Sequence, residues 1–492
     1  MHPACGQCTK AGRAIDCEYS DGKGLTASQI LEEQVSQLQL RIAELESVNA
    51  APLTLFDPYE SFRRSQGGGA LPSQQRCAPS STTPLHSGFP PHPTFPSTGG
   101  FPPSTGYPNH VTLLLNAIYL AGAQFSTDAQ LRAEQPTFLA TVLNLLTRTL
   151  SGGADNATIM YVLQTEILLT YYFLDNNRGM ESIYHWRAAT SIAFACKLHL
   201  IRSSRSSSGG PASGVQYQLS APADSLEEGE RINAFWQVLI LDKCLSITLS
   251  SPSAFTEDDA KGTIVDSPWP MDVSAYLSNP LPPGARGSRT IQAYMQSLGS
   301  PNRDRHYVAL QSKAAILYAY AGDLAKTYSP NDYTSTTRFT YLDRGIDQLA
   351  RDLPPLAGVD TSRPDILRKL LNIHLIVYCA TLQLNKPIDH AGVMYQGKSW
   401  TTALNAVIVL QQVNLGAIKY MEPSAAYVLT FAAEIIVRGI MTLKSQNAID
   451  SSNQAALLAP LSQILSAMDW WGITSPLFRQ QRVLVQTMLT QI

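Results

Sequence analysis

From residue 110 to the C terminus, apolar residues recur three and four positions apart. Val111, Leu114, Leu115, Ile118 and Tyr119 form one such set, Phe138, Val142, Leu145 and Leu146 another, and Leu371, Leu375, Tyr378 and Leu382 a third. This period lines one stripe of an α-helix, and alternating strand patterns are few, so the pattern predicts an all-α fold with one large helical domain over 110–492. A second pattern lies near the N terminus. Leu31, Val35, Leu38, Ile42 and Leu45 step by four, three, four and three, a heptad seam within a helix expected over 28–48. Leucine at one core position and β-branched Val35 and Ile42 at the other favour a parallel two-stranded coiled coil, with Arg41 and Glu46 on its flanks. The seam is only about two and a half heptads, so an amphipathic helix lying on its own large domain is the other reading.

Residues 50–109 are dense in Pro, Gly, Ser and Thr, as in Phe89-Pro90-Pro91-His92-Pro93. Such sequence buries too little apolar surface to offset its ordering entropy and predicts a disordered linker. As a random coil of about 60 residues its ends would lie on the order of 40–45 Å apart. Residues 203–224 read as a mobile loop. Ser225-Leu226-Glu227-Glu228 then reads as a capping box, its Ser225 hydroxyl placed for the Glu228 N–H, opening a helix that carries Phe235, Trp236, Leu239 and Ile240.

A net charge of −2 over 492 residues gives the whole chain no cationic field to steer it onto nucleic acid, so any DNA contact is local. The seven cysteines are odd in number and three fall within the first 17 residues, a poor disulfide framework that fits a reducing compartment. The N terminus has neither a basic n-region nor an apolar h-region, and no uninterrupted run of about 18 apolar residues occurs, so neither secretion nor membrane spanning is expected.

The sharpest chemical signal is Cys5-Gly6-Gln7-Cys8 with a third thiol at Cys17. Two cysteines so spaced can put both sulfurs on one tetrahedral ion about 2.3 Å away, which points to Zn²⁺; thiols without a metal in a loose terminus are the other reading. An enzyme needs a catalytic constellation, and no Gly-x-Ser-x-Gly elbow, His-Glu-x-x-His site, phosphate loop or dinucleotide fingerprint occurs. Glu257-Asp258-Asp259 reads as a solvated loop rather than a magnesium site. His185 and His199, taken as one helical pattern, would be about 21 Å apart by rise and cannot share an ion, so they read as structural. Asp242, inside an apolar run, predicts a buried carboxylate partnered by Arg231, Lys243 or a helix N terminus. Trp236, Trp269, Trp470 and Trp471 read as core.

The order of these parts resembles the fungal zinc binuclear cluster transcription regulators. Pro3 to Cys8 and Cys17-Glu18-Tyr19, followed by a coiled coil, look like the second half of the cluster and its dimerisation element. Cys196-Lys197-Leu198-His199-Leu200-Ile201-Arg202-Ser203 looks like the family's Leu-His-x-Ile-Arg helix end. Glu227-Glu228-Gly229-Glu230-Arg231 through Asp242-Lys243 to Pro252-Ser253-Ala254 is similar to its most recognisable block. Ser267-Pro268-Trp269-Pro270 and Tyr378 to Leu384 match two further windows. The resemblance implies a partial zinc cluster over 1–24, with Cys5, Cys8 and Cys17 as metal ligands, dimerisation through 31–45, and a helical regulatory domain over 110–492.

It also implies a nuclear regulator of RNA polymerase II transcription that binds double-stranded DNA as a homo- or heterodimer. The departures are specific. The family's first three cysteines and basic groove-entering helix would lie before Met1, so the expectation is a truncated form or a gene model that starts late. Lys10, Arg13 and Lys23 remain for phosphate contacts, interleaved with Asp16, Glu18 and Asp21. The alternative is a partner that binds no DNA and titrates intact relatives; a helical enzyme is the remote one. Lys197 and Ser250 stand where the family often has glycine, which puts the turn geometry there in question.

Overall fold

The computed structural model describes residues 6–10, 12, 106–151, 155–204, 219–302, 304–360, 363–390, 396–446 and 454–490. The chain divides into two units, Met1–Thr82 and Thr83–Ile492. Of the first, one short helix is described, α1 (Gly6–Lys10). The coiled-coil seam Leu31, Val35, Leu38, Ile42 and Leu45, and the linker up to residue 105, lie outside the described residues.

The regular structure of the second unit is, among the described residues, helical, as the 3.6-residue period predicts. Its helices are α2 (Asn109–Phe125), α3 (Ala129–Ala133), α4 (Gln135–Ser151), α5 (Asn156–Asp175), α6 (Gly179–Ala195), α7 (Ser225–Thr248), α8 (Val273–Ser278), α9 (Thr290–Gln296), α10 (Tyr307–Thr327), α11 (Tyr333–Asp352), α12 (Pro364–Asp389), α13 (Lys398–Gln411), α14 (Pro423–Ser445), α15 (Gln454–Gly472) and α16 (Pro476–Leu489). Among the described residues no strand forms; a single parallel bridge joins Ser203 and Gly287. All three apolar sets named from the sequence lie on helices, α2, α4 and α12.

Successive helices pack as neighbours: α5 on α6, α6 on α7, α7 on α10, α10 on α12, α12 on α13, and α14 on α16. A small apolar cluster of Leu113, Leu120, Val142, Val162 and Phe173 joins α2, α4 and α5, and a larger one fills the rest. At the centre runs α7, buried on every side: Phe235, Trp236, Val238 and Leu239 are fully enclosed, and so are Asn233 and Asp242. By contrast α11 buries one stripe, Ser335, Leu342, Ile346 and Leu349, and leaves its other face to water. Each fully buried Leu, Ile or Phe contributes about 1.5–3 kcal/mol, so the core rather than intrinsic helix propensity holds these elements in place.

Two of these helices differ from the sequence reading in one respect. Asn156–Asp175 and Pro423–Ser445 are long and apolar enough to cross a membrane, although neither is an uninterrupted apolar run. Within their most apolar windows, 72% and 61% is buried inside the protein, as befits core helices.

The helix ends explain the unusual residues Lys197 and Ser250. After α7 the Ser251 N–H reaches the Ser246 carbonyl (3.0 Å) and the Ser250 N–H reaches Ile247 (3.3 Å), a Schellman motif whose left-handed position is Ser250, φ 50°. The same motif closes α5 at Asn177, φ 58°, and Lys197, φ 53°, takes the equivalent place after α6. The turn geometry therefore stays that of a glycine-capped helix end, and a side chain bears the strain. The left-handed conformation costs a non-glycine residue about 1–2 kcal/mol, and glycine returns roughly 0.5–1 kcal/mol of that as unfolded-state entropy. Lys197→Gly and Ser250→Gly should each raise the free energy of urea unfolding by about 0.5–1 kcal/mol; a loss of stability would show that the αL side chains make contacts that outweigh their strain.

Candidate functional site

The windows that resemble the family's blocks are far apart in sequence, and three of them meet on α7. Its N-cap is Asp224, one residue before the serine expected from the sequence: the Asp224 carboxylate accepts the Glu227 N–H (2.8 Å), and Glu227 reaches back to the Ala223 N–H (2.6 Å). Aspartate serves an N-cap as well as serine, so the capping pattern shifts by one, with the returning glutamate bond made to the residue before the cap. Arg231 is spent on this helix start, bonding Glu227 and the Ser220 carbonyl (2.7 Å). One turn of the chain away, Arg202 grips Glu228 through two parallel bonds, Nε to Oε1 (2.6 Å) and Nη2 to Oε2 (2.7 Å), in a partly buried, bidentate geometry.

Between those pairs the 198–203 segment is pinned to 265–290. The Ser267 hydroxyl donates to the Leu198 carbonyl and accepts the Ile201 N–H (3.0 Å), while the Asp266 and Ser267 N–H groups share the His199 carbonyl (2.8 and 3.1 Å). Asp266 itself, fully buried, accepts the Arg289 N–H (2.8 Å) and the Ser203 hydroxyl. Gly287 passes so close that a Cβ there would lie 1.5 Å from the Asp266 carbonyl oxygen, so no other residue fits. Trp236 of α7 completes the junction by donating to the Pro268 carbonyl (2.6 Å) and stacking on Trp269 at 4.6 Å between ring centroids.

At the other end of α7, Asp242 is fully buried as predicted, but its partners correct the prediction. They are the Ser253 hydroxyl and the Ala254 N–H (3.1 Å), with the Arg187 guanidinium at 3.7 Å. Lys243 contributes through the same loop, donating to the Phe255 carbonyl and to Ser253 (3.2 Å), and burial pulls its ammonium below the ordinary lysine range. The Pro252-Ser253-Ala254 stretch is thus the lining that lets two adjacent charges lie inside the core.

His185 and His199 do not share a helix: α6 ends at Ala195, and His199 sits in the short 3₁₀ turn Leu198–Leu200. Both are structural, His185 bonding buried Glu166 (2.6 Å) and His199 reaching the Gly262 carbonyl (3.2 Å). Glu257-Asp258-Asp259 lies in the loop after Phe255, with Asp259 paired to Arg289 (2.7 Å). Trp470 and Trp471 both donate to the Ile418 carbonyl (3.0 Å).

Of the predicted metal and phosphate residues, Lys10 is exposed on α1, while Cys5, Cys17, Arg13 and Lys23, and the side chain of Cys8, lie outside the described residues. Among the described residues no group of three or more His, Cys, Asp or Glu could hold a metal. Burial pushes the thiol of Cys196 up to about 11 and those of Cys244 and Cys379 to about 12, so these are unreactive core thiols.

One node was missed by the sequence reading. Asp175, at the last turn of α5, is nearly fully buried and accepts from Gln124 of α2 and from the Ser475 hydroxyl (2.6 Å), the N-cap of α16. The only hint in the sequence is an acid closing an apolar helix. Burial pushes its carboxyl up to about 7, against the pull of its Ser475 and Gln124 hydrogen bonds. Because the folded value lies above the unfolded one, its contribution to stability is present in acid and is lost as pH rises toward 7. Asp175→Asn, which mimics the protonated form, should therefore gain on the unsubstituted protein by about 2–3 kcal/mol between pH 5 and pH 8 in urea unfolding; a difference independent of pH would mean the carboxyl titrates normally.

Residues 92–274 match the model of the fungal specific transcription factor domain. The matched domain is one found in fungal transcription regulators, and the match contains three of the four windows described above. No curated protein and no solved structure matches the chain.

Proposed function

We propose that this chain is a nuclear, DNA-binding regulator of RNA polymerase II transcription, with the helical unit as its regulatory domain. The observation that carries the reading is the coincidence of the family match over 92–274 with the Arg202–Glu228, Ser267 and Trp236 junction built from the same residues. In this reading Cys5, Cys8 and Cys17 hold Zn²⁺ as thiolates, and the seam Leu31, Val35, Leu38, Ile42 and Leu45 pairs two chains, alike or related. Lys10, Arg13 and Lys23 touch phosphates. A segment as small as 1–24 has no apolar core of its own, so metal binding and folding are one event there, and a chelator should unfold the head while leaving the helical unit intact.

The test is the zinc content, association state and DNA binding of the purified full chain. Bound zinc that falls in Cys5→Ser, Cys8→Ser and Cys17→Ser, a dimer that dissociates in Leu38→Asp, and selection of specific sequences from a random duplex library would support the proposal. Few phosphate contacts predict a shallow fall of affinity with salt, a slope of about −0.9 per contact. A dimer that selects no sequence, even with zinc supplied, would support the titrating partner instead, and a metal-free monomer would overturn both.

A further inference from the structure

We propose that Ser300, in the loop between α9 and α10, is a phosphorylation site for a proline-directed protein kinase. The chain contains five Ser-Pro pairs, at Ser251, Ser267, Ser300, Ser329 and Ser475, and the fold separates them. Ser267 and Ser475 are buried, and their hydroxyls are spent on the Leu198 carbonyl and on Asp175. The Ser251 hydroxyl accepts from Arg187 (2.8 Å). Ser300 and Ser329 are exposed, and so are the prolines that follow them. In sequence, Ser300-Pro301-Asn302-Arg303 carries a cation three positions after the serine, where Ser329-Pro330-Asn331-Asp332 carries an acid. A kinase that takes proline beside its target does without a backbone N–H there, and the charge three positions on then separates two otherwise similar serines.

The loop presents this serine at its tip while both flanks are tied down. On one flank the Tyr341 hydroxyl of α11 donates to the Met295 and Gln296 carbonyls (3.0 and 2.9 Å). On the other the Asn302 N–H donates to Asp352 (2.7 Å), and the Asn302 side-chain oxygen accepts from Lys313 (2.7 Å). Between them the Ser300 N–H closes a turn on the Ser297 carbonyl (3.1 Å). Gly299, with φ 88°, has nothing within 4 Å of the place a Cβ would take, and Gly299, Ser300 and Pro301 are all exposed. The Ser300 hydroxyl makes no hydrogen bond, so no bond has to break before it reacts. In the transfer, Ser300 Oγ attacks the γ-phosphorus of ATP and the Oγ–P bond forms. The bond from that phosphorus to the β–γ bridging oxygen breaks, its electron pair leaves on ADP, and the hydroxyl proton passes to the catalytic aspartate of the kinase. The product carries about −1.5 to −2 of added charge at pH 7.

The site lies in the helical unit and needs neither zinc nor DNA, so it stands or falls separately from the function proposed above. The test incubates the purified full chain with a proline-directed kinase and Mg²⁺-ATP and reads phosphate at each Ser-Pro pair by mass spectrometry over time. Ser300 should be modified at least roughly tenfold faster than Ser329, where a like-charge contact opposes docking. Ser267 and Ser475 should stay unmodified. Pro301→Ala, an exposed change, should slow modification of Ser300 by a similar factor and leave the urea unfolding midpoint as it is. Equal rates at Ser300 and Ser329, a Ser300 rate insensitive to Pro301→Ala, or no phosphate on Ser300 would each overturn the proposal. So would modification of a synthetic peptide spanning residues 295–306 but not of the native chain, because the fold would then be withholding the serine.

Discussion

A helix enclosed on every side must take its polar groups into the core with it, and α7 carries Asn233, Gln237, Asp242, Lys243 and Ser246 there. None of these can rely on water, so each imposes a requirement on the surrounding chain. Asn233 needs the Met271 carbonyl (3.1 Å), Asp242 the 253–254 turn, and Lys243 the Phe255 carbonyl. The loops after α7 are therefore fixed by the charges of α7 as much as by apolar packing. Gly229, in the first turns of the same helix, leaves the space in which the Tyr276 ring lies; a Cβ there would meet that ring at 2.5 Å.

How much of this could be read beforehand follows from the range of each interaction. Periodicity is local, so the helices on which Val111, Phe138 and Leu371 lie were legible. Capping is local as well, but Asp224 and Ser225 are both good caps three residues ahead of a glutamate, and the pattern could not choose between them. That Asp242 would be buried was visible in its apolar neighbours. That Ser253 would satisfy it was not, because nothing in the spacing separates a loop partner eleven residues on from Arg231 eleven residues back. The left-handed φ of Lys197 and Ser250 was legible only as a departure from an expected glycine; the backbone bonds that force it appear in the fold.

Partners separated by long stretches of chain were beyond any pattern. Asp175 and Ser475 lie 300 positions apart, and Arg202 and Glu228 are divided by residues 205–218, outside the described structure. Sequence composition prices such groups only as polar residues in apolar company. The bonds from Asn302 to Lys313 and to Asp352 are of the same kind, joining a loop to two helices that no spacing rule brings together.

A buried cation on α10 extends the junction around α7. The Lys313 ammonium is held by the Asn302 side-chain oxygen (2.7 Å) and by Asp304, and it lies over Trp269, which meets Tyr294 edge-on and stacks on Trp236 of α7. Trp236 in turn holds the Pro268 carbonyl, next to the Ser267 hydroxyl that ties down Leu198 and Ile201. The central helix is therefore joined to α10 and to the 266–294 stretch by an aromatic stack with a cation on its face, a contact that depends on ring geometry as well as on buried area.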